Sequence, residues 1–321
     1  METGWPVTLQ QAIIYFADKK VALEFLAKFR WPDGKPACPK CGSLESSFLS
    51  TRSIWKCKVC KKQYSAKSGT IMEDSPIGLD KWLPAIWMLC GCKNGVSSYE
   101  ISRDLGISQK SAWFMLHRIR LAMQSGSLEK KLSGHVEADE TFIGGKLFNM
   151  HLDKQTRLRM GKKRIGGFEG KAVVMGLLER HTKQARVKVL PNTRSHHIRG
   201  NVAANVEQGS TIYSDSLKSY KSLPKDGYAH EFIDHAEMYV RDNIHTNGLE
   251  NFWSLFKRSL KGTYVSVEPF HLQAYADEQC FRFNNCKVDD ADRFITAMSQ
   301  LTGKRITFAE LTGKELDAVV S

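Results

Sequence analysis

Apolar residues recur at helical spacing in two long stretches near the start of the chain. Over residues 8–30 the repeat includes Phe16 and Phe25 and stops at Trp31-Pro32, so the pattern predicts helical structure that ends before the proline. A second helix-rich stretch is predicted over residues 78–124.

The pattern changes after Gly134, where short runs of β-type residues alternate with helical segments. Five runs have the character of strands: HVEADETFI, KAVVMGLLER, ARVKVLP, TIYSD and HEFID. Their βββ-α-β-α-β order predicts a mixed sheet with helices packed on it, and therefore an α+β multidomain protein. From about Asn243 the chain is helical again. Between the first two runs, residues 146–170 are interpreted as a basic loop containing Lys162, Lys163 and Arg164.

Charge adds a candidate partner. The 321 residues carry 47 Lys and Arg against 34 Asp and Glu, a net charge of +13. Such a chain is attracted to polyanions, of which nucleic acid is the commonest, although a generic basic surface is the alternative. With 42% hydrophobic residues the chain can build a core, which excludes a disordered protein. The sequence shows no signal peptide and no apolar run of about 20 residues, so we expect a soluble intracellular protein without a membrane partner.

Two CxxC pairs predict a zinc site. Cys38 and Cys41 form the first pair, Cys57 and Cys60 the second, and fifteen residues separate the pairs. Each pair places two thiolates on one tight turn, and two such turns supply a closed tetrahedral site for one structural Zn²⁺. A redox dithiol is the alternative. The residues between the pairs should form a hairpin over 47–56, and residues 65–70 could continue it.

Residues 97–120 have the pattern of a helix-turn-helix. Ser97 or Ser98 is placed to cap a first helix, supported by a glutamate, and Gly106 and Ser108 mark the turn and the second cap. A structural helical hairpin is the alternative to a DNA-binding motif. For groove and phosphate contacts the pattern leaves four side chains: Gln109, Lys110, Arg118 and Arg120.

Three carboxylates occupy positions suited to metal-ion chemistry. Asp139 lies on the first predicted strand and Asp215 at the end of a later one. Glu250 lies on the following helix, with Lys257 two turns further along the same face. Glu140 should point to the opposite side of its strand, so only one of the adjacent acids can belong to the site.

Hard divalent ions prefer such oxygen ligands. Phosphodiester cleavage followed by strand joining needs an in-line displacement, in which two Mg²⁺ or Mn²⁺ ions activate the attacking oxygen and neutralise the leaving one. We therefore take Asp139, Asp215 and Glu250 as the ligands of two catalytic ions. Asn247, three residues before Glu250 on nearly the same face, is the second-ranked ligand or substrate contact.

The motifs follow one another along the chain in the order zinc ribbon, helix-turn-helix and then the strings ADETFIGGK, IYSDS and HTNGLENFWSLFKRSLKGTY. In this order of motifs the chain resembles bacterial insertion-sequence transposases of the zinc-ribbon, Merlin-related DDE group. The resemblance implies a ribonuclease H-like catalytic domain in which Asp139 and Asp215 are the first two catalytic aspartates. Lys257 matches the basic residue that follows the third acid, and Arg258 beside it is a candidate DNA contact. Some relatives have asparagine as the third ligand, which keeps Asn247 in consideration.

The resemblance also implies what such a protein does. We expect it to bind the terminal inverted repeats in double-stranded DNA, to cleave the strands and to transfer them to target DNA. We also expect a homo-oligomer in the synaptic complex and a nucleoid-associated place in the prokaryotic cytoplasm. Two other functions stay open: a sequence-specific DNA-binding regulator with a domesticated nuclease domain, and a host nuclease or resolvase. The predicted segments are an N-terminal helical segment (1–34), a zinc ribbon (35–70), a helix-turn-helix-like domain (76–126), the catalytic domain (132–290) and a C-terminal tail (291–321).

Overall fold

The computed structural model of the chain describes residues 5–124, 130–145, 152, 156, 171–215, 218–233 and 246–313. The chain divides into two compact units. The ribbon unit is formed from residues 1–125 and 285–321, and the sheet unit from residues 126–284. In the described part of the chain, no helix combines the length and the apolar character needed to cross a membrane.

The ribbon unit begins with the helices that the apolar repeat predicts. They are α1 (Leu9–Ala17) and α2 (Lys19–Arg30). The repeat is interrupted at Asp18, whose carboxylate accepts hydrogen bonds from the amides of Lys20 and Val21 and so caps α2.

A small antiparallel sheet of three strands follows. The strands are β1 (Ser46–Leu49), β2 (Ile54–Cys57) and β3 (Gln63–Tyr64). The first two form the predicted hairpin, with Ser46 opposite Cys57. The expectation that residues 65–70 continue it is wrong, because β3 ends at Tyr64 and the next residues hydrogen-bond in turns, such as Ser68 N–H to the Ser65 carbonyl.

The middle of the ribbon unit is helical, as predicted. Its helices are α3 (Leu79–Gly91), α4 (Ser98–Leu105) and α5 (Gln109–Met123). Ser97 and Glu100 form a reciprocal capping box at the start of α4, and Ser108 caps α5. Gly106 takes a φ of +59° in the intervening turn, which glycine adopts without steric cost.

The last part of the chain returns to the ribbon unit as α9 (Asp290–Ser299) and α10 (Phe308–Thr312). Phe294 is buried, with its ring 5.9 Å from that of Phe16 and 5.0 Å from that of Trp87. The prediction of a separate C-terminal tail over 291–321 is therefore wrong for the described residues, because α9 completes the apolar core that α1 and α3 begin.

The sheet unit is built on one five-stranded mixed sheet. Its strands are β4 (His135–Ile143), β5 (Ala172–Glu179), β6 (Ala185–Leu190), β7 (Thr211–Asp215) and β8 (Ala229–Ile233). The order across the sheet is β6-β5-β4-β7-β8, in which β4, β5 and β6 are antiparallel neighbours and β4, β7 and β8 are parallel. This sheet confirms the predicted α+β class.

Helices cover both faces of the sheet. They are α6 (Ser195–Asn205), α7 (Asn247–Ser259) and α8 (Leu272–Asn284). One core contains Val136 and Ala138 with residues of α6, and the other contains Val174 and Leu178 with residues of α7 and α8. The second helix of the predicted pattern, between β7 and β8, is replaced by two 3₁₀ turns, Lys218–Tyr220 and Leu223–Asp226.

Candidate active site and zinc centre

The two aspartates lie on two neighbouring parallel strands. Glu137 of β4 pairs with Tyr213 of the parallel neighbour β7. Asp139 and Asp215 each lie two residues beyond this last pair of the β4–β7 ladder. Since side chains two residues apart share a face, both aspartates lie on the same side of the sheet as Glu137 and Tyr213.

Helix α7 lies unusually close to this face. Gly176 pairs with Asp139 across β4 and β5, and a Cβ there would be 2.8 Å from atoms of both Leu249 and Trp253. The missing side chain lets Trp253 lie against the strand. Its indole N–H donates to Asp139 Oδ2 at 2.8 Å. The strand therefore fixes the backbone of Asp139, while its two carboxylate oxygens accept hydrogen bonds from the indole of Trp253 on α7 and, at 2.9 Å, from the Glu140 amide.

A second acid, which the sequence analysis did not select, attaches the start of α7 to the sheet. Glu137 is buried; its Oε1 accepts from Arg180 Nε at 3.0 Å and its Oε2 from the Leu249 amide at 3.1 Å. The Arg180 guanidinium lies 4.0 Å from the centre of the Tyr213 ring. At Gly248 a Cβ would be 2.8 Å from Glu137 Oε2, so only glycine permits this approach. Glu137 thus links β4 to the first turn of the helix that carries Glu250.

The charges of Asp215 and Glu250 both act on Asp139. The pKa of Asp139 is raised to about 6, first by burial and then by the charges of Asp215 and Glu250, while the hydrogen bond from Trp253 opposes the rise. Among the described residues, the three carboxylates do not gather within 4.8 Å of one another. Carboxylates spaced more widely than the ligands of a single ion are suited to a pair of ions about 4 Å apart.

Glu140 faces the other side of β4, as predicted. It accepts a hydrogen bond from Tyr220, which belongs to the α6 side of the sheet, whereas Trp253 belongs to the α7 side. Burial raises the pKa of Glu140 to about 8. The Tyr220 ring stacks on His230, whose Nε2 lies 2.8 Å from Ser214 Oγ. Glu140 is therefore engaged in a polar cluster behind the acid site.

The exposed side of α7 carries the remaining candidates. Asn247 and Glu250 occupy its first turn and Lys257 and Arg258 its last turn, and all four are exposed. The opposite side of the helix is apolar and buried in the core with α8. Glu250 and Lys257 are about 10 Å apart along the helix axis.

The four cysteines form a compact cluster. All four sulfurs lie within 4.8 Å of one another, with 3.6 Å between those of Cys38 and Cys60 and between those of Cys41 and Cys57. A tetrahedral site with Zn–S bonds of about 2.3 Å requires sulfurs about 3.8 Å apart, so the cluster fits one structural zinc ion. The amide of Cys60 hydrogen-bonds to the sulfur of Cys57 and is the largest cause that lowers the pKa of this thiol to about 6. The thiolate form is the one that binds metal.

Two of the predicted DNA contacts on α5 are buried. Arg118 donates to the Glu73 carbonyl at 2.8 Å, and Arg120 is almost fully enclosed. The surface role expected for both is wrong, because the second half of α5 is covered within the ribbon unit. Gln109 donates to Ser98, and exposed Lys110 lies over the Phe308 ring. The candidates of the basic loop, Lys162, Lys163 and Arg164, lie outside the described residues.

A four-cysteine ribbon joined to a mixed sheet with clustered acids defines a zinc-ribbon protein with a candidate metal-dependent active site. Residues 131–284 match the ISXO2-like transposase domain and residues 18–63 match the transposase zinc-ribbon domain. The chain belongs to the zinc-ribbon insertion-sequence transposases. The first match coincides closely with the sheet unit and the second with α2 and the ribbon strands.

Two relatives agree with this assignment. An uncharacterized protein in transposable element ISH50 of Halobacterium salinarum is 25% identical over 252 residues, which are 76% of this chain and 84% of the relative. An uncharacterized transposase-like protein of Haemophilus influenzae is 29% identical over 100 residues, 31% of this chain and 80% of the relative. Among solved structures, the simian T-cell lymphotropic virus intasome in complex with PP2A regulatory subunit B56 gamma aligns over 72% of this chain and 69% of the matched chain, at 10% identity and a TM-score of 0.26. This similarity is too low to indicate a shared fold.

Proposed function

We propose that this transposase binds the terminal inverted repeats of its insertion sequence and catalyses strand cleavage and strand transfer with two Mg²⁺ or Mn²⁺ ions held by Asp139, Asp215 and Glu250. The observation that supports this is that the charges of two of these acids act on the third. Asp139 and Asp215 each follow the last pair of two parallel strands by two residues, and the charges of Asp215 and Glu250 both raise the pKa of Asp139 by repulsion. A cation would relieve that repulsion.

The residues present fit divalent ions. Carboxylate oxygens are the ligands that Mg²⁺ prefers, and a partly buried group with a raised pKa gains most from a neighbouring cation. When bound, two ions would activate the attacking oxygen and stabilise the leaving one. The chain itself orients the Asp139 carboxylate through Trp253 and holds the first turn of α7 through Glu137.

Glu250 is preferred to Asn247 as the third ligand. Both are exposed in the first turn of α7. Glu250 repels Asp139 electrostatically, which supports its proximity, and a carboxylate holds Mg²⁺ better than an amide does. Asn247 is then a candidate substrate contact in the same turn.

The exposed cations of α7 are proposed to contact DNA. Lys257 and Arg258 follow Glu250 by about two turns, so a phosphate near the cut could meet them. Lys110 and Gln109 at the start of α5 remain proposed contacts of the helix-turn-helix. We further propose a homo-oligomer for synapsis, target DNA as the second substrate, and a nucleoid-associated place in the prokaryotic cytoplasm.

The proposal is tested with purified protein, Mg²⁺ and a linear DNA fragment that carries both sequences flanking the gene. We expect nicking and joining of the fragment. Asp139→Asn and Asp215→Asn should abolish both while end binding persists, and Glu207→Gln, an exposed acid of the same unit, should act as wild type. Cleavage by Asp139→Asn at the wild-type rate would refute the assignment.

The same assay separates the alternatives and the two candidate ligands. Cutting without joining indicates a nuclease or resolvase, and binding alone indicates a regulator. If Glu250 is the third ligand, Glu250→Gln removes cleavage and Asn247→Ala retains measurable cleavage. The reverse result assigns the ligand to Asn247.

A further inference from the structure

The segment after α7 contains a strained turn. The helix continues as a π-helical turn, Leu260–Tyr264, and Val265 then takes φ +60° and ψ −56°. The Ser266 amide donates to the Tyr264 carbonyl at 2.6 Å, which closes a three-residue γ-turn. A γ-turn with positive φ is rare, and a β-branched residue at its centre is strained, so the surrounding structure must impose it.

Tyr264 supplies that constraint. Its hydroxyl donates to Glu278 Oε1 at 2.5 Å, and its ring lies edge-on to Tyr275 at 4.7 Å. Glu278 is fully buried on α8 and pairs with Arg282. The turn is therefore anchored in the core of the sheet unit, and the strain is maintained by packing rather than by the turn itself.

This anchored turn presents apolar side chains to solvent. Val265 is 79% exposed, and Phe270, in the 3₁₀ turn Pro269–His271, is 64% exposed. Burying either side chain would be favourable, so their exposure on a strained loop is costly unless a partner covers them. We call residues 265–270 the apolar loop.

The surroundings of the apolar loop favour DNA as that partner. Lys257, Arg258 and Lys261 are exposed just before it, and Glu268 is the one acid between residues 257 and 270. Cations beside apolar side chains match the way proteins hold phosphates while a wedge enters between base steps. The loop also follows directly on α7, which carries Glu250 at its other end.

We infer that Val265 and Phe270 of the apolar loop insert into the base stack of the DNA bound at the candidate active site. The inference rests on the proposed function. Tyr264 lies fourteen positions after Glu250, which at the helical rise is roughly 20 Å, or about six base-pair steps. The unstacked step is therefore expected within about six base pairs of the cut.

The experiment uses the full chain carrying Asp139→Asn, so that the DNA stays intact. The DNA is a set of duplexes of the gene-flanking sequence, each with one 2-aminopurine at a different step near the cut, and the fluorescence of 2-aminopurine is measured. Insertion raises the fluorescence at one step. Val265→Gly and Phe270→Ala should each abolish that rise and weaken binding by no more than about a hundredfold, the range that one stacking contact covers. Val288→Ala, an exposed valine in the ribbon unit, is the control and should leave the rise unchanged.

Val265→Gly also separates recognition from folding. Glycine adopts φ +60° without strain, so the Tm of this variant should equal or exceed that of the parent. A lowered Tm with loss of all DNA binding would assign the turn a structural role and overturn the inference. So would bound DNA without an unstacked step, or a rise that persists in either loop variant. The proposed function fails separately, if Asp139→Asn cleaves DNA as wild type does.

Discussion

Replacing Glu137 with alanine should destabilise the sheet unit strongly. Only 1% of the Glu137 side chain and 16% of the Arg180 side chain are exposed, and the two charges lie 3.0 Å apart. The same carboxylate accepts a hydrogen bond of 3.1 Å from the Leu249 amide. Alanine removes both acceptors, so the Arg180 charge loses a buried partner and the start of α7 loses its attachment to β4.

The size of the effect follows from these two losses. Removing one partner of a buried ion pair typically costs about 3–5 kcal/mol because the other charge stays buried. Arg180 retains some solvent exposure and stacks on Tyr213, so we take about 3 kcal/mol for the pair. The unsatisfied Leu249 amide adds about 1 kcal/mol. A loss of about 4 kcal/mol corresponds to a Tm lower by roughly 8–16 °C for a domain of this size.

Hydrogen exchange followed by mass spectrometry measures this loss separately in each unit. Peptides from β4 and α7 should lose protection, and peptides from α3 in the ribbon unit serve as the internal reference. Glu137→Gln keeps an acceptor for Leu249 without the charge and should be less destabilised than the alanine variant.

A double variant tests the electrostatic part of the argument. Glu137→Leu with Arg180→Met leaves neither charge buried, so it should be more stable than Glu137→Leu alone. If hydrogen exchange gives the sheet unit of Glu137→Ala a free energy of unfolding within about 1 kcal/mol of the wild-type value, the buried attachment does not form in solution and the reasoning fails. A double variant no more stable than the single one would reject the ion pair as the cause.

Two further predictions concern the zinc ligands and the indole that donates to Asp139. Cys57→Ser should lose the structural zinc and bind the element ends more weakly. Cys286→Ser, at an exposed cysteine outside the cluster, should keep its zinc and its end binding. Equal zinc content of the two variants in elemental analysis would reject the four-cysteine site. Trp253→Phe removes the N–H that lowers the pKa of Asp139, so this pKa should rise above about 6 and the acid limb of the single-turnover cleavage rate should move to higher pH by about one unit. An acid limb that does not move contradicts the role of the indole.

Local patterns predicted the parts of the protein that depend on nearby residues. The zinc ligands follow from spacing within two short turns, and the caps at Ser97 and Ser108 follow from neighbours within three residues. Asp139 and Asp215 could be placed on strands because each strand has its own apolar pattern. That these two strands are parallel neighbours was visible only in the folded sheet.

Long-range contacts account for what the sequence did not reveal. Along the sequence, nothing distinguishes Glu137 from any other residue that lies on the same side of the strand as Asp139. Its partners Arg180 and Leu249 lie 43 and 112 residues away. Arg118 and Arg120 looked like surface cations because arginine is rarely buried. Arg118 instead reaches a carbonyl 45 residues away, a partner that a helical pattern cannot identify.

The return of α9 to the ribbon unit affects how the protein is made. The ribosome synthesises the whole sheet unit before Phe294, so the sheet unit can fold first. The contacts of Phe16 and Trp87 with Phe294 can form only afterwards. A nascent chain stalled near residue 285 would contain every candidate catalytic acid but an unfinished ribbon-unit core. Translation order therefore delays the maturation of the ribbon unit until the rest of the enzyme exists.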